Sequence, residues 1–195
     1  MNENQLVKLA QAGDFDAFNL LIVGHKDKIY RLAMKLTGNR EDAEDIVQET
    51  FLKAIDNIDK FRRESSFGTW LYAIALNNIK AQAGDRKKMT LKPIEEYLPG
   101  GHEAGAAELF DWGDPHKLFE QKQLQKLIES SLAKLPHKYS VPFILRYIEE
   151  MSIDEVAAAI KLSVAATKSR IMRARLALRE MLSEVFKERA NERVQ

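Results

Sequence analysis

The densest group of chemistry-bearing side chains lies between Lys161 and Arg179. Lys168, Arg170, Arg173, Arg175 and Arg179 fall there, and no acidic residue interrupts them. Val164, Ile171, Ala174 and Leu178 recur at helical spacing in the same stretch, which leaves the cations on the other faces of one helix. Such a helix fits a groove lined by phosphates. Its first turn would meet base edges and its later basic residues would grip the backbone. The alternative is a solvated helix in a bundle. What precedes it favours the groove. Ile153, Val156, Ala157 and Ile160 mark a short helix, Ser152 and Glu155 read as its capping box, Lys161-Leu162 as a turn, and Ser163 as the next N-cap. Two capped helices, a short turn and charge of one sign define a helix-turn-helix pattern.

Two further constellations stand nearer the front. Residues 41–58 form a helical pattern in which Glu41, Asp42, Glu44, Asp45 and Glu49 precede any Lys or Arg. Helix N-termini favour acids, but this density exceeds what the dipole needs. Asp45, Gln48, Glu49 and Leu52 share one side at i, i+3, i+4 and i+7, a docking face for a basic partner or else a plain solvated face. The stretch 61–88 interleaves Phe61, Phe67, Trp70 and Tyr72 with Arg62, Arg63, Lys80, Arg86, Lys87 and Lys88. Rings beside cations suit unpaired nucleotides, whose bases stack while their phosphates meet charge. Trp70 and Tyr72 as partly buried core residues is the alternative.

Catalysis finds no foothold. His25, His102, His116 and His137 are far apart and lack metal-ligand spacing, and no phosphate-binding loop, dinucleotide fingerprint or nucleophile elbow is present. The absence of cysteine removes disulfides, thiolate metal sites and a thiol nucleophile. No cofactor and no metal are expected. The opening MNENQLVKLAQAGD is polar and amphipathic rather than a signal peptide, and no apolar run approaches the ~20 residues of a membrane span. The expected location is the cytoplasm, with no direct membrane insertion.

The elements that must position these groups are all helical. The 195 residues are 45% apolar and 30% charged, enough to bury real cores. The net charge of +1 hides an uneven distribution. Residues 1–88 hold 14 Lys+Arg against 13 Asp+Glu, 89–116 hold 1 against 6, and 117–195 hold 15 against 10. A short helix with Leu6, Leu9 and Ala10 stops at Gly13. Asp14 then caps a longer one carrying Phe15, Phe18, Leu21, Ile22, His25, Ile29, Leu32, Ala33 and Leu36, which ends at Thr37-Gly38-Asn39. After the acidic helix come a loop at Lys60–Ser66 and a helix from Phe67 to about Ala83. Residues 89–116 are Gly/Pro-rich and acidic and read as a flexible linker, with Leu109, Phe110 and Trp112 as apolar docking exceptions. Helices resume with Leu118, Leu124, Leu127, Ile128, Leu132 and Leu135. Pro136 starts a further helix buried through Val141, Ile144, Leu145 and Ile148, in which Pro142 is tolerable in the first turn. The charged tail 188–195 is expected to fray. The fold class is all-α, with two small domains at 1–88 and 117–187.

The runs DAEDIVQETFLKA at 42–54, FRRESSFGTWLYAIALN at 61–77, LPHKYSVPFILRYIEEMSIDEVAAAI at 135–160 and TKSRIMRAR at 167–175, in that order around an acidic linker, resemble bacterial RNA polymerase sigma factors of the extracytoplasmic-function (ECF) group. The resemblance covers nearly the whole chain outside 89–115. It implies a transcription initiation factor, with 1–88 as sigma region 2 and 117–187 as region 4. Asp45, Gln48, Glu49 and Leu52 would bind core RNA polymerase. Arg62, Arg63, Ser65, Trp70, Asn77 and Lys80 would recognise and open the −10 element. Thr167, Lys168, Ser169, Arg170, Arg173 and Arg175 would read −35 promoter DNA. The linker would thread toward the RNA exit path, and an anti-sigma factor would hold the protein inactive, often at the membrane. A helix-turn-helix regulator acting without stable polymerase association is the other reading. Three departures stand out: Ala165-Ala166-Thr167 where a Gly-Thr pair usually opens the recognition helix, Ala73 where relatives often carry Arg, and Gly68 early in a helix, where glycine costs roughly 1 kcal/mol relative to alanine.

Overall fold

A computed structural model describes residues 1–86, Ile94 and 122–192, with side chains for 1–82, Ile94 and 125–185. Packing divides the chain into two compact units, Met1–Lys88 with Asp154–Ser163, and Met89–Ile153 with Val164–Gln195. Asp154–Ser163 thus groups with the first unit, although the sequence division sets it in the second domain.

The first unit is built on α1 (Glu3–Gln11), α2 (Phe15–Thr37), α3 (Arg40–Asp56) and α4 (Phe67–Arg86), with one 3-10 turn at Ile58–Lys60. Local chemistry sets the boundaries. Asn2 and Gln5 form a capping box on α1, Asp14 Oδ1 accepts from the Ala17 amide, and Asn39 Oδ1 accepts from the Asp42 amide. Gly13 and Gly38 take left-handed φ values of 92° and 65°, which glycine adopts without strain and which end α1 and α2. Helix α2 packs on α1, α3 and α4, and α3 packs on α4. Val7, Phe18, Leu32, Ile46, Phe67 and Leu71 lie at the centre of this bundle. Phe15, expected on the buried side of α2, is 67% exposed because it occupies the first turn, beyond the reach of the neighbouring helices.

A polar pair is buried between α3 and α4. Asn78 Nδ2 donates to Thr50 Oγ1 at 3.2 Å, and Lys53 Nζ donates to Asn78 Oδ1 at 2.6 Å. Gly68 has an equally local cause. A Cβ there would lie 2.9 Å from Cε1 of His25. That ring is held edge-on to Phe67, 5.6 Å between centroids, with Nε2 3.4 Å from Glu3 Oε2. Burial is the larger influence on the imidazole and lowers its pKa below the usual 6.5, while Glu3 opposes it.

The second unit contains α5 (Lys122–Lys134), α6 (His137–Tyr147) and α8 (Val164–Glu192), with α5 and α6 both packed on α8. Helix α7 (Ile153–Ile160) precedes α8 in sequence and buries Val156, Ala157 and Ala159. Ile128, Leu132, Leu135, Tyr139, Phe143 and Leu178 form the buried centre of the second unit. Pro142 lies in the second turn of α6 rather than the first. It removes one intrahelical hydrogen bond, a loss offset by burying Phe143, Ile144 and Leu145 beside it. Val141 and Ile148 are only half-buried, and Tyr139 and Phe143 take the expected core places. The helical backbone runs on through Glu192, so the expected frayed tail from 188 is helical to that point, since nothing between Lys187 and Glu192 is a strong helix breaker. The linker assignment at 89–116, with Leu109, Phe110 and Trp112, lies outside the described residues except for Ile94, which is 1% exposed.

Gly68→Ala should lower stability by about 1 kcal/mol, because displacing a wedged ring outweighs the propensity gain. In a His25→Ala background the same change should stabilise instead, and urea unfolding of the four chains measures that reversal of sign.

Candidate nucleic-acid and partner interface

Three surfaces emerge, each fixed by what the opposite side of its helix buries. On α3, Ala43, Ile46, Val47, Thr50 and Ala54 face the core, which turns Asp45, Gln48, Glu49 and Leu52 outward together. Leu52 is 63% exposed, a large apolar side chain set among anionic ones. Glu49 Oε1 is 2.6 Å from Lys53 Nζ, and Arg40 Nε is 2.8 Å from Glu44 Oε1. Both are exposed i,i+4 pairs worth only a few tenths of a kcal/mol, roughly 0.3–0.5, so a basic partner can displace them cheaply.

The second surface is the 61–66 loop with the outer side of α4. Phe61 is buried, while Arg62 and Arg63 are exposed and Ser65 is half-buried. Arg63 holds a left-handed φ of 60°, which bends the loop so that consecutive arginines face solvent. Trp70 is half-buried. Its ring lies 5.0 Å from that of Phe61 and 5.6 Å from that of Phe67. Trp70 is thus a partly buried residue of the aromatic cluster, the alternative named for it above. Tyr72 is a core residue, 5% exposed. Asn77 and Lys80 are exposed because the neighbouring Asn78 is drawn inward to Thr50 and Lys53. Arg86, Lys87 and Lys88 fall outside the described side chains.

The third surface is the first half of α8. The chain reaches it through a turn in which Lys161 takes φ 54° and the Leu162 amide donates to the Ala157 carbonyl, 3.0 Å, closing α7. Lys168, Ser169 and Arg173 are exposed; Arg170 and Arg175 are half-buried. Thr167 is 0% exposed, so its side chain belongs to the interior and is withdrawn from the set that can touch DNA. Val164, expected to be buried, is 36% exposed, because the buried stripe of α8 begins at Thr167 and runs through Ile171, Ala174 and Leu178. Sequence reasoning passed over Met172, 53% exposed beside the exposed Arg173, since a methionine at helical spacing ordinarily signals core.

Among the described residues no group of His, Cys, Asp and Glu could hold a metal ion, and no helix is long and apolar enough to cross a membrane. An exposed acidic-apolar stripe on α3, an aromatic-cationic loop before α4 and a basic face on α8 are the surfaces expected of a DNA-binding protein that also meets a protein partner. Comparison with known proteins narrows this class. The Sigma-70 region 2 family matches residues 21–88, and the Sigma-70 region 4 family matches 125–178, a span that keeps α7 and α8 together. The ECF RNA polymerase sigma factor SigW of Bacillus subtilis (strain 168) is 36% identical over 186 residues, covering 92% of this chain and 96% of that one. The ECF RNA polymerase sigma-E factor of Escherichia coli (strain K12) is 32% identical over 179 residues, covering 91% and 93%. The structure of CnrH in complex with the cytosolic domain of CnrY superposes with a TM-score of 0.68 at 26% identity, over 93% of this chain and 97% of CnrH. The chain belongs to the sigma-70 family, in its ECF group. It is a transcription initiation factor that directs core RNA polymerase to promoters, and it is not an enzyme.

Thr167→Ala should cost about 1–2 kcal/mol of stability and leave the salt slope of promoter binding by the holoenzyme unchanged. Lys168→Ala should do the reverse, keeping stability within about 0.5 kcal/mol and reducing the slope by about 1. Denaturant titration and binding at several salt concentrations separate the two.

Proposed function

We propose that the three surfaces divide promoter engagement between them. Asp45, Gln48, Glu49 and Leu52 bind core polymerase. Arg62, Arg63, Ser65, Trp70, Asn77 and Lys80 capture the opened −10 element. Lys168, Ser169, Arg170, Arg173 and Arg175 bind the −35 duplex. The observation that carries this reading is the outward register of Asp45, Gln48, Glu49 and Leu52 on α3 together with that of Asn77 and Lys80 on α4, each opposite the residues its helix buries and joined through the Thr50–Asn78–Lys53 contact. A regulator that used only a helix-turn-helix would need neither face.

The energetics support a shared task. Separating base pairs costs a few kcal/mol per step unstacked. One half-buried tryptophan and a few exposed cations do not meet that cost alone. Core polymerase must contribute, so the anionic stripe is as necessary to opening as the aromatic loop. Contacts of the α8 cations with phosphates supply salt-sensitive affinity without melting anything. The stretch 89–116 serves as the connection that threads toward the RNA exit path. An anti-sigma factor is the expected inhibitor. The family resemblance implies one, and the CnrH structure was solved with a cytosolic domain of another protein bound. The working location is the cytoplasm, where polymerase and promoter are, with membrane attachment only through such an inhibitor.

Run-off transcription with purified core polymerase tests the reading. Promoter-specific transcript should require this chain, and its absence on every candidate genomic template overturns the assignment. Asp45→Arg should weaken core binding roughly tenfold or more, since a like charge replaces an opposite one at the interface, while fold and helicity persist. Arg173→Ala should weaken holoenzyme binding to a −35 duplex by roughly tenfold and leave core binding intact, and an unchanged affinity would move the DNA surface elsewhere.

A further inference from the structure

Helix α1 lies ahead of the segment matched by the region 2 family, and none of the three surfaces uses it. It nevertheless reaches both ends of the 61–66 loop. At the start, Gln11 Nε2 donates to the carbonyls of Ile58 at 3.0 Å and Phe61 at 2.9 Å. At the far end, Glu3 Oε1 accepts the Phe67 amide at 3.2 Å. That amide opens α4 and has no intrahelical acceptor. Ser66 Oγ accepts the Thr69 amide at 3.1 Å, so Glu3 and Ser66 together satisfy two donors of the first turn. The Glu3 carboxylate also sits at the positive end of the α4 dipole.

Glu3 does not float in this position. Its other oxygen, Oε2, is 3.4 Å from His25 Nε2, and the His25 ring lies against Phe67. Gly68 supplies the space for that ring. Helices α1, α2 and α4 therefore converge on Phe67, the residue that follows the loop, while Phe61 at its start is held by α1 through Gln11 and by α4 through the rings of Phe67 and Trp70. Between these two points the backbone includes Arg63 in the left-handed region, a conformation that an unrestrained arginine seldom holds.

We propose that α1 is a clasp for the −10 loop, in which Glu3, Gln11 and His25 are positioning residues that hold residues 61–66 in the shape that receives the unpaired −10 strand. The inference rests on the assignment of that loop to the −10 element. A loop ordered during folding gives up less freedom when DNA arrives, and the affinity for the strand rises accordingly. None of the three residues needs to touch DNA.

The test uses the full chain assembled with core polymerase and a single-stranded oligonucleotide bearing the −10 sequence of a promoter that gives run-off transcript. Fluorescence anisotropy reads its affinity, and core affinity is measured in parallel. Glu3→Ala and Gln11→Leu should each weaken oligonucleotide binding roughly fivefold, the worth of a hydrogen bond or two, with core affinity within about twofold of the parent. The salt slope should stay unchanged, since no phosphate contact is removed. Glu3→Gln keeps an acceptor for the Phe67 amide and should restore most of the affinity. Gln11→Glu keeps the shape, loses both donors, and should bind as weakly as Gln11→Leu. It also serves where an alanine variant fails to fold. Unchanged oligonucleotide affinity in the Glu3 and Gln11 variants overturns the clasp. So does equal loss of core and oligonucleotide affinity, which marks a contribution to stability alone. Trp70→Ala separates this from the underlying assignment. If it too leaves binding unchanged, the loop is not the −10 surface; if it weakens binding while the clasp variants do not, only the clasp falls.

Discussion

Asn78 is the residue on which the first unit turns. Its amide is buried between two helices, and both ends of it are engaged, the nitrogen with Thr50 and the oxygen with Lys53. A buried amide that loses a partner costs about 1–3 kcal/mol, whereas each bond made contributes only about 1 kcal/mol net. The contact therefore matters less as a source of stability than as a penalty on every other register. Rotating α4 by one residue would pull Asn78 away from Thr50 and Lys53 and send it to solvent. The face carrying Trp70, Asn77 and Lys80 would go with it. The same Lys53 holds Glu49 at 2.6 Å, so one ammonium group touches a residue of the acidic stripe and the residue that sets the α4 register.

That arrangement suits a protein that must act in two places without a catalytic group in either. Under the proposed assignment the role is one of positioning: α3 would hold polymerase and its neighbour α4 would hold DNA, and the error between them must be small. Two long helices packed along their lengths give that rigidity. Charge alone could not, because the exposed pairs Arg40–Glu44 and Lys53–Glu49 are weak and screened by salt. Their value lies in being replaceable. A partner that offers its own cations to α3 loses little by breaking them, and the helix beneath keeps its place through Ile46, Val47 and Ala54.

The sequence was legible wherever period and local chemistry act alone. The stripe Asp45–Gln48–Glu49–Leu52 follows from spacing. The stops at Gly13 and Gly38 and the turn at Lys161-Leu162 follow from residues that favour those conformations. Errors arose where a pattern gives the face of a helix and not its end. Phe15 and Val164 match the apolar period of their helices but occupy first turns, where the neighbouring helices no longer cover them. Thr167 entered the −35 set through the family resemblance alone, yet it stands four residues ahead of Ile171 on the buried stripe. Asn78 is the converse, a polar residue in period with Phe67 and Leu71 and buried with them. The contacts of Glu3 and Gln11 span 47 to 64 residues, and no local pattern encodes them.

Backbone strain follows the same logic of place. Arg63, Glu150 and Lys161 are the non-glycine residues with positive φ among those described. Two of them adjoin surfaces assigned to DNA, one in the loop before α4 and one in the turn before α8. Glycine would adopt either conformation at lower cost, of the order of 1 kcal/mol. It would also remove a cation from a surface proposed to meet phosphates, and at either position it would loosen the unfolded chain. Strain of this size persists only where neighbouring contacts over-determine the backbone. At Lys161 the Leu162–Ala157 hydrogen bond does so. At Arg63 the restraint comes from both ends of the loop: the rings of Phe61 and Phe67 pack on Trp70, the Phe61 carbonyl accepts from Gln11, and the Phe67 amide donates to Glu3. The aromatic cluster and the strained arginine are thus one device: the rings anchor the ends, and the anchored ends keep the charge where a separated strand would pass.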